Sequence, residues 1–194
     1  ARRAVAIRYG STPISSRRSI VPTASLVWIV ESTCQKCKYV VTGIAGKKGF
    51  CAVNIDKAMM NSEIGFGRKV LQAFEDYGIS FEHVPSGIDT MTVFVHQDEF
   101  MDKEQKVVSA IHRLADPDSI DIEADLALIA VVGRGMKSTR GTAGRIFSAL
   151  AHANVNVKMI DQGSSELNII IGVRSHDFDA AINAIYDIFV KTMI

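Results

Sequence analysis

Over residues 126–173 the apolar positions change period three times. Residues 126–132 (Leu-Ala-Leu-Ile-Ala-Val-Val) form an unbroken apolar run, and a glycine-punctuated loop follows over residues 133–141. Ile146, Phe147, Leu150 and Ala153 then recur at i, i+1, i+4 and i+7, the spacing of an amphipathic helix. Residues 155–160 and 167–173 are short, rich in β-branched side chains and separated by Gln162-Gly-Ser-Ser165, so they predict two antiparallel strands around a turn. The unit reads β-loop-α-β-turn-β.

A shift of about 76 residues towards the start returns the same unit without a gap, the signature of an internal repeat. Residues 51–56 fall on 127–132, Met60 on Met136, Ser62 on Ser138 and Gly65 on Gly141. The helix face Val70, Leu71, Phe74 and Tyr77 falls on Ile146, Phe147, Leu150 and Ala153. Residues 79–84 fall on 155–160, Gly87 on Gly163, and residues 91–95 on 167–171.

Between the copies, Phe100, Val107, Val108, Ile111 and Leu114 predict a helix over 98–114, and residues 119–122 can form a fourth strand. The first copy thereby completes as βαββαβ. The second has a closing helix at 178–190 but no fourth strand of its own. Residues 39–45 are strand-like and otherwise unassigned, so we expect them to supply it. Gly46-Lys-Lys-Gly49 reads as a turn leading into the first copy, and residues 32–38 as a linker.

At 194 residues, with 47% hydrophobic and 22% charged content, the chain can bury one or two cores. No apolar run approaches the ~18 residues of a membrane span, so we expect a soluble protein without membrane contact. The net charge of +1 hides an asymmetry: residues 1–48 carry nine Lys/Arg against Glu31 alone, the remainder thirteen against twenty acids. Such an opening fits a nucleic-acid arm or a transit peptide. Its apolar runs at 4–7 and 26–30 are ones an arm does not need. We therefore expect no nucleic acid, and read residues 1–37 as the remnant of a preceding domain or a linker. The start at Ala1 without Met is expected of a fragment or processed form.

Cys34, Cys37 and Cys51 are an odd number with no secretory signal, which points to free thiols in a reducing, cytoplasmic compartment. Cys34-Gln-Lys-Cys37 lacks the second ligand pair that zinc needs, and the five histidines are scattered, so no metal is expected.

A doubled ferredoxin-like α+β unit with a glycine-bearing loop before its first helix resembles the regulatory half of aspartate kinase, with two ACT domains. The wording that carries the resemblance is Val40-Val-Thr-Gly-Ile-Ala, Met60-Asn-Ser-Glu-Ile-Gly-Phe-Gly, Val132-Gly-Arg-Gly-Met and Asn156-Val-Lys-Met-Ile-Asp-Gln-Gly-Ser-Ser-Glu-Leu-Asn168, within residues 40–194. It implies a first ACT domain at 49–124 and a second built from 38–48 and 125–194, completed by the strand that precedes the first. Residues 1–30 then resemble the end of the catalytic domain, with a helix at Arg3-Ala-Val-Ala-Ile and a strand from Thr12-Pro-Ile with Arg17-Arg-Ser. In that family the enzyme phosphorylates L-aspartate with ATP on the route to lysine, threonine and methionine. ATP and Mg belong to the absent catalytic domain. This chain has no P-loop and no nucleophile with a base, so it should be inactive alone and carry no cofactor.

The chemistry left is recognition of a free amino acid. Its carboxylate needs donors, which unpaired amides at a helix start supply where glycine lets the backbone come close. In the first copy that loop is Met60, Asn61, Ser62, Ile64, Gly65, Phe66 and Gly67. Acceptors are expected from Glu82, Val84, Ser86, Asp89 and Thr90. The second copy offers Met136, Ser138 and Gly141 with Gln162, Ser164, Ser165 and Asn168, as a second site or a dimer contact. The bland alternative is that both loops are only turns. Strand two carries Glu82 in the first copy and Lys158 in the second, and a ligand lysine brings a second ammonium that must meet an anion once it leaves water. We therefore expect lysine at the first copy, its carboxylate on the 64–67 amides and its ammonium at Glu82, with Asp89 and Glu63 near. Threonine gains nothing from Glu82. A homodimer through the ACT domains and the parent's catalytic domain are the expected macromolecular partners. The alternatives are an ACT module of another amino-acid enzyme, or an RNA-binding βαββαβ module. The latter needs exposed aromatics on its central strands, where Val53, Ile55, Ile129, Val131 and residues 169–171 are aliphatic.

Overall fold

The structure, a computed structural model, describes residues 26–29 and 40–191. The elements expected at residues 3–7 and around Thr12 and Arg17, the 32–38 linker and the Cys34/Cys37 pair lie outside them. In chain order the strands and α-helices are β1 (Leu26–Ile29), β2 (Gly43–Asp56), α1 (Phe66–Asp76), β3 (Phe81–His83), β4 (Thr90–His96), α2 (Gln97–Phe100), α3 (Glu104–Ala115), β5 (Ser119–Val132), α4 (Thr142–His152), β6 (Val157–Asp161), β7 (Asn168–Arg174) and α5 (Phe178–Tyr186). The described residues form two compact units, Gly49–Leu126 and, in the second, residues 127–191 with 26–29 and 40–48.

The first unit orders its strands β3-β4-β2-β5. β2 runs antiparallel to β4 from Phe50↔His96 to Asp56↔Thr90, and β3 meets β4 at Phe81↔Val95. The Asp118 N–H donates to the Asp56 carbonyl at 2.9 Å, which joins β5 to β2 at that end. Numbered within the unit, this is the order 2-3-1-4 of a ferredoxin-like βαββαβ fold. Val53, Ile55, Met91, Val93 and Val95 alternate onto one face and meet Val70, Phe74, Phe100, Val107 and Ile111 of the helices. Burying each such side chain contributes about 1.5–3 kcal/mol. α1 forms because Val70, Ala73 and Phe74 share one stripe. It ends at Tyr77 and Gly78, whose N–H groups turn back to the Phe74 and Glu75 carbonyls. The strand aliphatics therefore lie under helices. Phe50 and Phe94 alternate to the other face and are buried, so that face does not present the exposed aromatics an RNA-binding module needs.

The second unit repeats the order as β6-β7-β5-β2, with the opening half of β2 as its fourth strand. The Thr42 N–H donates to the Val132 carbonyl at 2.8 Å. The expected completion of the second domain by the strand preceding the first is what the fold contains. Two details differ. Gly46–Gly49 is not a turn: β2 runs unbroken from Gly43 to Asp56, because its opening half has β5 to pair with in this unit. Likewise 119–122 and 126–132 are one strand, β5. β1 pairs along the opening half of β2, from Leu26↔Gly46 to Ile29↔Gly43. The core joins Ile44, Ile129, Val131, Ile146, Leu150, Ile171, Phe178 and Ile182. Gly46 is needed where it stands, since a Cβ there would lie 2.6 Å from the Phe178 ring.

The ungapped repeat also needs correction past its hairpin. Met91, Val93 and Val95 occupy the buried positions that Ile169, Ile171 and Val173 occupy in the second unit, an offset of 78 in place of 76. Leu167, the ungapped partner of buried Met91, is exposed. The second hairpin is two residues longer, and burial fixes strand register more strongly than sequence wording does.

Deleting residues up to Ala45 is expected to cost solubility, because it strips half of the fourth strand and its lead-in from the second unit and opens the β5 edge above an apolar core. A truncated chain that stays monodisperse and unfolds cooperatively on heating would argue against this pairing. No described helix is long and apolar enough to cross a membrane.

Candidate functional site

In the first unit β2 ends at Asp56, and the chain reaches α1 through a loop pinned at both ends. Met60, at the head of a 3-10 turn (Met60–Ser62), and Phe66, the first residue of α1, are both buried. Between them Asn61, Ser62, Ile64 and Gly65 are exposed. Gly65 caps α1 at φ 82°, a left-handed conformation that glycine adopts without a Cβ penalty. The Lys69 N–H bonds the Gly65 carbonyl at 3.0 Å and the Phe66 N–H bonds the Glu63 carbonyl at 3.2 Å. Gly67 and Arg68, in the first turn of α1, have no intrahelical acceptor for their amides. Those are donors of the kind a carboxylate takes, at the positive end of the helix.

The loop is held from outside. The Lys57 N–H bonds the Asp89 carbonyl at 2.9 Å, the Met59 N–H bonds Asp89 Oδ1 at 2.8 Å, and the Ala58 N–H bonds Asp118 Oδ2 at 2.6 Å. Met59 is itself left-handed at φ 59°, a conformation these bonds hold in place. Asp89 thus serves as a clamp on the loop, a different role from the ammonium partner expected of it. Glu63 is occupied too: Lys69 Nζ lies 2.6 Å from its carboxylate and Lys57 Nζ 3.6 Å. The hydrogen bond from Lys69 holds the Glu63 carboxyl below its usual range against a smaller opposing effect of burial. Ser86 and Thr90 lie on the same hairpin, Ser86 bridged to Met91 and the Gly87 N–H bonded to the Thr90 carbonyl at 2.7 Å. Val84 is half-buried against the core.

Glu82 is not at this loop. It lies on β3 beside the far end of β4, where its Oε1 is 2.9 Å from His96 Nε2. The loop is fixed at the opposite end, where Gly67 packs against Met91. From Met91 to His96 a strand extends roughly 17 Å, beyond the reach of one amino acid. Within one copy, a lysine on the 64–67 amides therefore does not reach Glu82. Sequence equivalence places a residue on a strand without saying at which end of the sheet the ligand sits.

The second unit builds the same loop. Met136 is buried within a 3-10 turn (Arg134–Ser138), Gly141 caps α4 at φ 80°, and the Arg145 N–H bonds the Gly141 carbonyl at 3.0 Å. Gln162, Ser164 and Ser165 are exposed in a turn closed by the Glu166 N–H on the Gly163 carbonyl at 3.0 Å, and Asn168 opens β7. The positions equivalent to Glu82 and His96 hold Lys158 and, by the 78-residue offset, Arg174, so the acid of one unit is replaced by a cation in the other. Sequence reasoning missed Asp118 and His96. The turn-forming Asp116-Pro-Asp-Ser119 was a signal for the first; nothing in the sequence marked the second.

Residues 129–189 match the ACT domain family. Aspartokinase 3 of Bacillus subtilis is 45% identical over 151 residues, covering 77% of this chain and 33% of that protein. The chain is homologous to the ACT-domain regulatory region of the aspartate kinases. Aspartate kinase of Clostridium acetobutylicum, described as an allosteric enzyme, has a crystal structure 49% identical with a TM-score of 0.74, over 77% of this chain and 35% of that one. The regulatory subunit of aspartate kinase from Thermus thermophilus shares the fold at a TM-score of 0.65 and 22% identity, over 77% of this chain and 98% of that one. So does Escherichia coli aspartokinase III in complex with lysine and aspartate, at a TM-score of 0.65 and 17% identity over 84% of this chain and 36% of that one. The chain spans about a third of the length of the curated relatives it matches. Among the described residues no cluster of His, Cys, Asp and Glu is suited to a metal ion, and Cys51 is buried, its thiol pushed up to about 11 mainly by loss of solvent.

Proposed function

We propose that this region senses an end-product amino acid for an aspartate kinase whose catalytic domain phosphorylates aspartate with ATP and Mg, and that lysine is the ligand of the first ACT unit. The observation that carries the reading is the 60–67 loop: a glycine-capped helix start with open amides, held rigid from below by Asp89 and Asp118. The Escherichia coli enzyme solved with lysine shares this fold and supports the choice of ligand.

Glu82 then has to come from a second copy. β3 is the edge strand of its unit; Phe81 on it is half exposed, and Ile64, Ile88 and Met59 around the loop are more exposed still. Pairing two β3 edges antiparallel about a two-fold axis turns one sheet end for end, which carries the Glu82 end of one copy to the loop end of the other. Each site would hold the α-carboxylate on one copy's Gly67 and Arg68 amides and the ε-ammonium at the other's Glu82. The second unit, with Lys158 in place of Glu82, is left to packing or to a ligand without a side-chain cation.

Calorimetry with a panel of lysine, threonine, methionine and norleucine, alongside sedimentation, tests the proposal. Lysine should bind most tightly, to a dimer. A chain that stays monomeric at micromolar concentration with lysine present, or that binds threonine and ignores lysine, would overturn it.

A further inference from the structure

His96 closes β4, directly opposite Phe50 of β2, and its ring lies against the Phe50 ring at 4.8 Å between centroids. Its Nε2 is 2.9 Å from Glu82 Oε1; the histidine side chain is 19% exposed and the glutamate 47%. A mostly covered imidazole, tilted against the Phe50 ring, thus holds the one carboxylate that the lysine reading requires. Asp98 and Glu99 follow His96, exposed at the start of α2, and β5, the neighbour of β2, carries Glu123 and Asp125, the latter with its N–H on Gln97 Oε1 at 2.9 Å.

We propose that His96 is a positioning residue for Glu82 and that protons and lysine compete at this pair. The inference rests on lysine being the ligand of the first unit. Histidine is the side chain that changes charge between about pH 5 and 8. When neutral, His96 donates a hydrogen bond that orients Glu82 and leaves its negative charge to meet the ε-ammonium. When protonated, it neutralises Glu82 as an ion pair and sets a second cation where the ammonium must arrive. Lysine therefore binds the neutral form more tightly and drives a proton off on binding. Affinity rises with pH through the histidine titration and levels above it. Full coupling of one proton gives a slope of about tenfold in Kd per pH unit on the acid side. The second unit, with Lys158 and Arg174 at these positions, offers no such pair.

The full chain is titrated with lysine and with norleucine, which lacks the ε-ammonium, from pH 5.5 to 8.5, in parallel with His96→Gln. The parent should lose lysine affinity towards acid pH, by at least fivefold over the range, while norleucine binding stays flat. His96→Gln should flatten the lysine profile. Histidine NMR provides a readout independent of the variant's folding: saturating lysine should move the His96 titration to lower pH. A flat lysine profile, an equal slope for norleucine, an unchanged slope in His96→Gln, or a His96 titration that lysine leaves in place would each overturn the role of His96 with lysine binding intact. Absence of lysine binding by the parent at every pH would overturn the ligand assignment and this role together.

Discussion

Gly133→Ala should unfold the second ACT unit or lower its stability by ~3 kcal/mol or more, the range of overpacking that cannot relax. Gly133 is extended, so its backbone conformation would suit any residue; what demands glycine is proximity. An added Cβ would overlap the Val40 carbonyl oxygen and lie 2.9 Å from Val41 Cα. Both are backbone atoms of the segment that leads into β2, and no side-chain rotation relieves such a clash. The strand entry would have to lift away, taking with it the Thr42 bond to Val132 and the edge pairing of β5. Gly163→Ala is the control: open space surrounds that position, so its melting temperature should match the parent's. Urea or thermal unfolding that fails to separate the two variants would mean that the 40–42 segment does not lie against β5.

Glu82→Gln should weaken lysine binding by ~1.5–3 kcal/mol, or about ten- to a hundredfold, the scale of a charge-assisted hydrogen bond. Folding should hardly change, since the side chain is half exposed and its contact with His96 survives as a neutral hydrogen bond. Complementation locates the second half of the site. Gly65→Val should break the loop, because valine is strained at φ 82°. A mixed dimer of Glu82→Gln with Gly65→Val then retains one intact site if Glu82 acts across the interface, and none if it acts within its own copy. Recovery of half the lysine stoichiometry supports the two-copy site; its absence, with both parents of the mixture properly dimeric, excludes it.

Much of this architecture was legible because burial imposes period. Ile146 and Leu150, or Val70 and Phe74, advertise a helix, and the same intervals recurring 76 residues apart advertise its copy. The fourth strand of the second unit followed by elimination, from one strand without a place and one sheet without an edge. Gly46-Lys-Lys-Gly49 misled because glycine and lysine together look like a turn in isolation, whereas partners distant in sequence keep β2 extended through them. The offset of 78 past the hairpin was hidden by Gly87 and Gly163, which coincide in wording although Gly87 donates to the Thr90 carbonyl and Gly163 accepts from the Glu166 N–H. At the site, Gly65, Met60 and Phe66 could be placed from sequence because a helix start has local chemistry. The position of Glu82 relative to them could not, since it depends on which end of a strand faces which loop.

The two long strands also set an order of assembly during synthesis. Gly49–Leu126 has every strand and helix of its unit once Leu126 has left the ribosome, and it can close then. The stretch Gly43–Lys48, made earlier, has no β5 partner until residues 127–132 follow. At 5–20 residues per second, completing the helices that cover that core takes several seconds more. The first-made strand of the pair is thus the last to be buried. Through that interval its open edge is where a nascent chain of this design would be captured by a neighbouring copy or a chaperone.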